Sequence, residues 1–179
     1  MRLKAGEKAP LFEVEDIHGQ RIALKDFAGQ KLMVSFYRYS GCPFCNLRVA
    51  DMIRHYPIFE KQNLKMISFW QSAKEDILET VGKQDAPFPL VPDKEMKIYA
   101  LYGVERHLMA PLKVLLNPAL SLRALFSPFM KLKIAGDVDL VPADFLIGPD
   151  LTIKRSYYGS HIADHIPISE IESFLVTGQ

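Results

Sequence analysis

Apolar and polar positions along the chain switch between two periods. KLMVSFYR (31–38) and LKMISFW (64–70) are nearly unbroken apolar runs, the pattern of strands covered on both faces. Shorter runs flank His18-Gly19 and predict a hairpin across 11–24, where glycine suits the turn. The first long run ends at the small-residue turn Ser40-Gly41 and leads into CPFCNLRVADMIRHY. That stretch reads as a helix with a partial apolar face of Leu47, Met52, Ile53 and Tyr56, ended or kinked by Pro57. Pro43 suits its first turn, where the missing N–H would have no partner in any case. Ser72 with Glu75 and Ser169 with Glu172 have capping-box spacing and predict helices over 74–83 and 170–176. PFPLVPD is a short proline-bounded strand, and KEMKIYALYGV (94–104) has apolar residues at helical spacing. ADFLIGPDLTIKRSYY is a second hairpin, turning at Gly148-Pro149-Asp150.

Strands alternating with helices predict an α/β chain with helices flanking a central sheet, and the closing antiparallel hairpin makes that sheet mixed. One segment fits poorly. Between Glu105 and Asp137 there is no acidic residue, and Pro111, Pro118 and Pro128 interrupt a stretch rich in apolar and basic residues. It reads as two or three short helices inserted over about 104–136, before the last hairpin. A self-packed cap, a dimer interface, a cover over the active-site edge and a membrane-surface contact are its possible uses, with the prolines arguing against the last.

Composition narrows the class. The 179 residues are 49% hydrophobic, enough for one domain, 1–179, with a substantial core. The 22 basic and 21 acidic residues nearly cancel, which gives no reason to expect nucleic acid as a partner. The N-terminus has no apolar run of signal-peptide length, and no apolar run is long enough for a transmembrane segment, so a cytoplasmic protein is expected.

The only two cysteines, Cys42 and Cys45, are three positions apart. In a reducing compartment such a pair is more often catalytic or metal-binding than a structural disulfide. A cysteine opening a helix meets unpaired N–H groups and a partial positive charge, both of which favour the thiolate. On this reading Cys42 is the exposed nucleophile, Cys45 the buried resolving thiol, and Phe44 an apolar docking surface. The alternatives are two small buried hydrophobes, or a cluster shared between two copies. A metal site within one chain lacks ligands, since there is no second Cys-x-x-Cys and His161 and His165 have no cysteine company. His107, His161 and His165 read as surface histidines, and Trp70 as a core residue.

The opening, with Gly6, Pro10, Phe12, Gly29-Gln30-Lys31 and Phe36-Tyr37, resembles that of the peroxiredoxin-like (AhpC/TSA) branch of the thioredoxin superfamily. GCPFCN resembles the thioredoxin and glutaredoxin Cys-Pro-aromatic-Cys site, and VPADFLIGPDLTIKRSYYG the later hairpin of the family. The resemblance covers about 3–103 and 137–176. It implies a thioredoxin-like fold, and it implies that Pro142 is a cis-proline facing the dithiol, with Val141 presenting its backbone to substrate. Pro43, Phe44, Val141 and Pro142 would then line the substrate groove. The peroxiredoxin Pro-x-x-x-Thr/Ser-x-x-Cys pattern meets Arg38, Cys42 and Cys45 here, so two of its three residues differ. Pro142 also takes the place of the peroxide-polarising arginine, for which Arg38, Arg48 or Arg155 are substitutes. Arg38 and Arg48 are the candidates for supporting a thiolate.

The expected activity is thiol–disulfide exchange, with Cys42 attacking a disulfide and Cys45 resolving it. It needs no bound cofactor and no metal, only a thiol reductant such as thioredoxin or glutathione. A thiol peroxidase using Cys45 or Cys42 is the second reading. A non-catalytic binding protein acting through 104–136, with a possible homodimer there, is the third.

Overall fold

The computed structural model describes residues 1–108, 122, 124, 126 and 136–178. Most of the 104–136 insert, with the helices, docking and dimer roles expected of it, lies outside the described residues.

A small antiparallel hairpin, β1 (Glu13–Glu15) and β2 (Arg21–Ala23), precedes a five-stranded sheet. The sheet comprises β3 (Lys31–Tyr37), β4 (Leu64–Trp70), β5 (Leu90–Pro92), β6 (Ala143–Ile147) and β7 (Ile153–Tyr158), in the order β5-β4-β3-β6-β7. β3 runs parallel to β4, and β4 to β5, while β6 and β7 are antiparallel additions. The apolar run 31–37 thus forms the centre of a mixed sheet, and it is nearly unbroken because both of its faces are covered.

One face buries Met33, Tyr37, Met66 and Trp70 beneath the helices α1 (Pro43–Lys61) and α4 (Ile168–Thr177). The other buries Leu32, Val34, Phe36, Phe69 and Phe145 with Tyr99 of α3 (Lys97–Leu101). Phe36 is the hub of that second face, with its ring centroid 5.0–5.9 Å from those of Phe69, Tyr99, Tyr102 and Phe145. The Tyr99 hydroxyl reaches across to the carbonyls of Tyr37 and Phe69 at 2.5 and 2.9 Å, fastening the ends of β3 and β4 that carry the cysteine turn. Trp70 is a core residue, stacked on Tyr37 with ring centroids 4.6 Å apart.

Several expectations fail, most of them where a distant contact outweighs a local rule. α1 does not end at Pro57 but continues to Lys61. Burial of Phe59 beyond it outweighs the hydrogen bond that proline forfeits. The Ser72–Glu75 box does not form: Ser72 Oγ accepts the Ser40 N–H at 2.9 Å, and α2 (Lys74–Glu79) starts after Ala73 with no side-chain cap. Its predicted continuation is a separate 3₁₀ turn, Val81–Gln84. Ser169 lies inside α4, whose N-cap is Pro167. The Val141–Pro142 bond is trans. Leu140 bridges Arg106, the Val141 N–H donates to the Glu105 carbonyl, and Ala143 opens β6, so the chain stays extended and has no use for the sharp turn of a cis bond. Among the described residues no helix is long and apolar enough to cross a membrane.

Tyr99→Phe strips two core carbonyls of their donor and should lower the unfolding free energy by about 1–3 kcal/mol. Urea denaturation reads this, and an unchanged midpoint would remove Tyr99 from the account.

Candidate active site

β3 delivers the chain to the turn Arg38–Gly41, and Cys42 becomes the N-cap of α1 with extended φ and ψ of −70° and 119°. Pro43 takes the first helical position, as its missing N–H allows. Asn46 locks the turn: its Nδ2 donates to the carbonyls of Ser40 at 2.7 Å and Cys42 at 2.9 Å. Both cysteines are free thiols one helical turn apart.

Cys42 is fully buried, where an exposed nucleophile was expected. Long-range contacts close the turn. Arg38, itself buried, donates from Nη1 to Cys42 Sγ at 3.3 Å and from Nη2 to the Val138 carbonyl at 2.6 Å. Gln71 pairs with Asp137 through both ends of its amide, at 2.6 and 2.9 Å, and Arg106 forms an ion pair with the same carboxylate. Gly136 sits so close that a Cβ there would meet Tyr39 Cβ at 2.8 Å. The segment 136–139 is a strap bound to the same guanidinium that touches the sulfur.

The two thiols are electrostatically unlike. Burial opposes a charge on Cys42, but the Cys45 thiol, the Arg38 charge and the N–H groups of Cys45 and Phe44 outweigh it and bring Cys42 down to about 6. Cys45 is driven well above its ordinary value by burial and by the neighbouring Cys42. The electrostatics thus favour a thiolate on Cys42 and a thiol on Cys45, the arrangement that dithiol exchange uses. Among the described residues no group of three or more His, Cys, Asp or Glu side chains is arranged to hold a metal ion.

Residues 5–156 match the model of the AhpC/TSA family. The chain belongs to the AhpC/TSA family. A stretch of 104 residues is 30% identical to the thiol-disulfide oxidoreductase ResA of Bacillus thuringiensis subsp. konkukian, covering 58% of this chain and 60% of that relative. Over 102 residues the chain is 26% identical to the peroxiredoxin Bcp of Escherichia coli, covering 57% of this chain and 65% of Bcp. The match thus spans less than two thirds of either curated relative's own length. Among solved structures, peroxidoxin BcpB from Mycobacterium tuberculosis is similar at a TM-score of 0.70 and 15% identity, covering 98% of this chain and 96% of the other. The thiol peroxidase from Chromobacterium violaceum is similar at a TM-score of 0.68 and 15% identity, covering 99% and 89%. These likenesses establish the thioredoxin-like fold.

In this AhpC/TSA chain the expected site residues divide. Phe44 and Val141 meet in a small apolar cluster with Ile162 and Ala163 beside the cysteine turn. Pro142 is buried next to it, and a Cβ on Gly159 would lie 3.3 Å from its ring. Arg38 reaches the Cys42 sulfur; Arg48 instead donates to the Ile166 carbonyl at 2.7 Å. Arg155 is occupied in an exposed ion pair with Glu170. His107 and His161 are half-buried, but His165 is buried against Asp144, a correction to its reading as a surface residue. Gln71, Asp137, Ile162 and Asp144 escaped the sequence reading. A carboxylate inside the apolar run ADFLI was the one available signal among them.

With its pKa lowered, Cys42 should ionise at a lower pH than an ordinary cysteine. Arg38→Met should raise the midpoint of its ultraviolet thiolate titration by about one to three pH units; an unmoved midpoint would show that the helix N-terminus and Cys45 suffice. Gln71→Ala frees one tie of the strap and should speed alkylation of Cys42 several-fold at fixed pH, with the midpoint unchanged. An unaltered rate would mean that the strap does not govern access.

Proposed function

We propose that this chain is a thiol–disulfide oxidoreductase of the peroxiredoxin-like group. The observation that carries the reading is the split pair, an Arg38-supported Cys42 thiolate at the helix N-cap beside a protonated Cys45 one turn on. The Cys42 sulfur attacks one sulfur of a substrate disulfide, whose S–S bond breaks. The departing thiolate takes a proton from solvent. Cys45 then loses its proton and attacks Cys42, releasing the second substrate thiol and leaving the Cys42–Cys45 disulfide. An external thiol reductant, such as thioredoxin or glutathione, returns the pair to the dithiol. Phe44 and Val141, with Pro43 and Pro142 at the edge, form the apolar groove against which the substrate strand lies. A reducing compartment such as the cytoplasm suits the free-thiol state.

A second reading, thiol-dependent peroxide reduction, is favoured by one observation. The Arg38 guanidinium beside the Cys42 sulfur is the cationic donor that a peroxide O–O bond needs. It makes Cys42 the attacking thiol, because Cys45 is pushed well above its ordinary value by burial and by the neighbouring Cys42.

Insulin-type disulfide reduction, run beside stopped-flow oxidation by hydrogen peroxide, ranks the two. We expect disulfide turnover to be lost in Cys42→Ser and to stall at a mixed disulfide on Cys42 in Cys45→Ser. Turnover that survives Cys42→Ser would overturn the nucleophile assignment, and rapid peroxide oxidation without disulfide turnover would favour the second reading.

A further inference from the structure

Arg38 is a buried cation whose counter-charge comes from the active-site sulfur. Only 3% of it is exposed, and its Nη1 donates to Cys42 Sγ at 3.3 Å while its Nη2 donates to the Val138 carbonyl at 2.6 Å. The guanidinium carbon lies 5.1 Å from the centre of the Tyr39 ring, and Nε is buried without a hydrogen-bond partner. Among the described residues no carboxylate forms an ion pair with Arg38. Asp137, on the strap itself, is taken by Gln71 and Arg106. Residues 106–136 contain no Asp or Glu, so that stretch has no carboxylate to offer.

A guanidinium does not give up its proton in a protein, so its burial depends on a counter-charge, here the Cys42 thiolate. Exchange removes that charge. The Cys42 thiolate and the Cys45 thiol give two electrons to a substrate disulfide, whose S–S bond breaks, and a bond forms between Cys42 and Cys45. The substrate leaves as two sulfur anions, one of which takes up a proton equal to the one that Cys45 lost. The net negative charge departs with the product, and the sulfur left beside Arg38 is a weak, neutral acceptor. Arg38 is then a buried cation with one carbonyl, one ring and an unpartnered Nε. Taking one partner from a buried ion pair is strongly destabilising, and a guanidinium in that position gains by moving to water. The cover is thin on the strap side, where Val138 is 47% exposed. Arg38 cannot leave without letting go of the Val138 carbonyl, which frees the middle of the strap. The far end stays anchored, because the His107 N–H donates to the Asp139 carbonyl at 2.8 Å.

We propose that Arg38 is a redox latch, which holds the strap 136–139 closed over Cys42 in the dithiol form and releases it when the Cys42–Cys45 disulfide forms. The proposal rests on the dithiol-exchange reading. The reduced chain is the covered form, and the oxidised chain presents its disulfide to the external thiol reductant. Gln71 and Arg106 act through Asp137 and are positioning residues, since they hold the strap where Arg38 can reach the Val138 carbonyl. The coupling is reciprocal. A closed strap goes with the charged sulfur, so each of its ties favours the reduced form, and cutting one makes the pair a stronger reductant.

The test is amide hydrogen exchange of the full chain, in the dithiol form and after oxidation with a small aromatic disulfide, read by mass spectrometry. The Asp137 N–H, which donates to Gln71 Oε1 at 2.9 Å, reports on the strap. Peptides containing it should exchange about 5- to 150-fold faster in the disulfide form, while β4 keeps its protection. Reduced Cys42→Ser, which has neither the charge nor the cross-link, should exchange there at the rate of the disulfide form. A second measurement is the equilibrium with glutathione, which should shift towards the protein disulfide in Gln71→Ala. Equal exchange in the two wild-type forms overturns the latch and leaves the exchange reading standing. So does a strap in Cys42→Ser as protected as in the dithiol chain, or an unmoved glutathione equilibrium in Gln71→Ala. If the wild-type chain forms no Cys42–Cys45 disulfide at all, the exchange reading falls and the latch falls with it.

Discussion

Cys42 and Cys45 lie one helical turn apart in a buried site, where the Cys45 thiol, the Arg38 guanidinium and the N–H groups of the first helical turn together favour a charge on Cys42. A charge on Cys42 meets a cation, backbone N–H groups and a neighbouring thiol. A charge on Cys45 meets the cost of burial and a nearby anion. The rest of the structure serves this asymmetry. β3 carries the turn at the centre of the sheet, Tyr99 fastens its end to β4, and Asn46 holds the turn itself.

The Arg38 guanidinium has two duties. It stabilises the sulfur and holds the strap at Val138, so the contact that makes Cys42 reactive also helps to keep it covered. The apolar cluster of Phe44, Val141 and Ile162 lies beside the same turn. On the same face of the sheet, Asp144 is fully buried and holds His165 Nδ1 at 3.1 Å.

Much of this was legible in the sequence where the determinants are local. The two apolar runs, the small-residue turn and Pro43 at the helix start fixed the central strands and the thiol pair. Expectations failed where a distant contact outweighed a local rule. Phe59 carries α1 past Pro57, and Ser72 gives its hydroxyl to Ser40 instead of capping α2. The Val141–Pro142 bond is trans, beside the Val141 N–H that donates to the Glu105 carbonyl. The cover over Cys42 joins residues 100 positions apart, and the Asp144–His165 pair joins residues 21 apart. No spacing rule encodes either contact. Only the buried carboxylate in ADFLI signalled that a partner had to exist.

The central claim concerns which sulfur is charged, and mapping the first thiol alkylated in the wild-type protein across pH tests it most directly. Brief exposure to iodoacetamide followed by peptide mass spectrometry should find Cys42 modified first at every pH, with a rate that rises through about pH 6 and then levels. Modification of Cys45 first, or of both thiols together with a midpoint near the ordinary thiol value, would contradict the account.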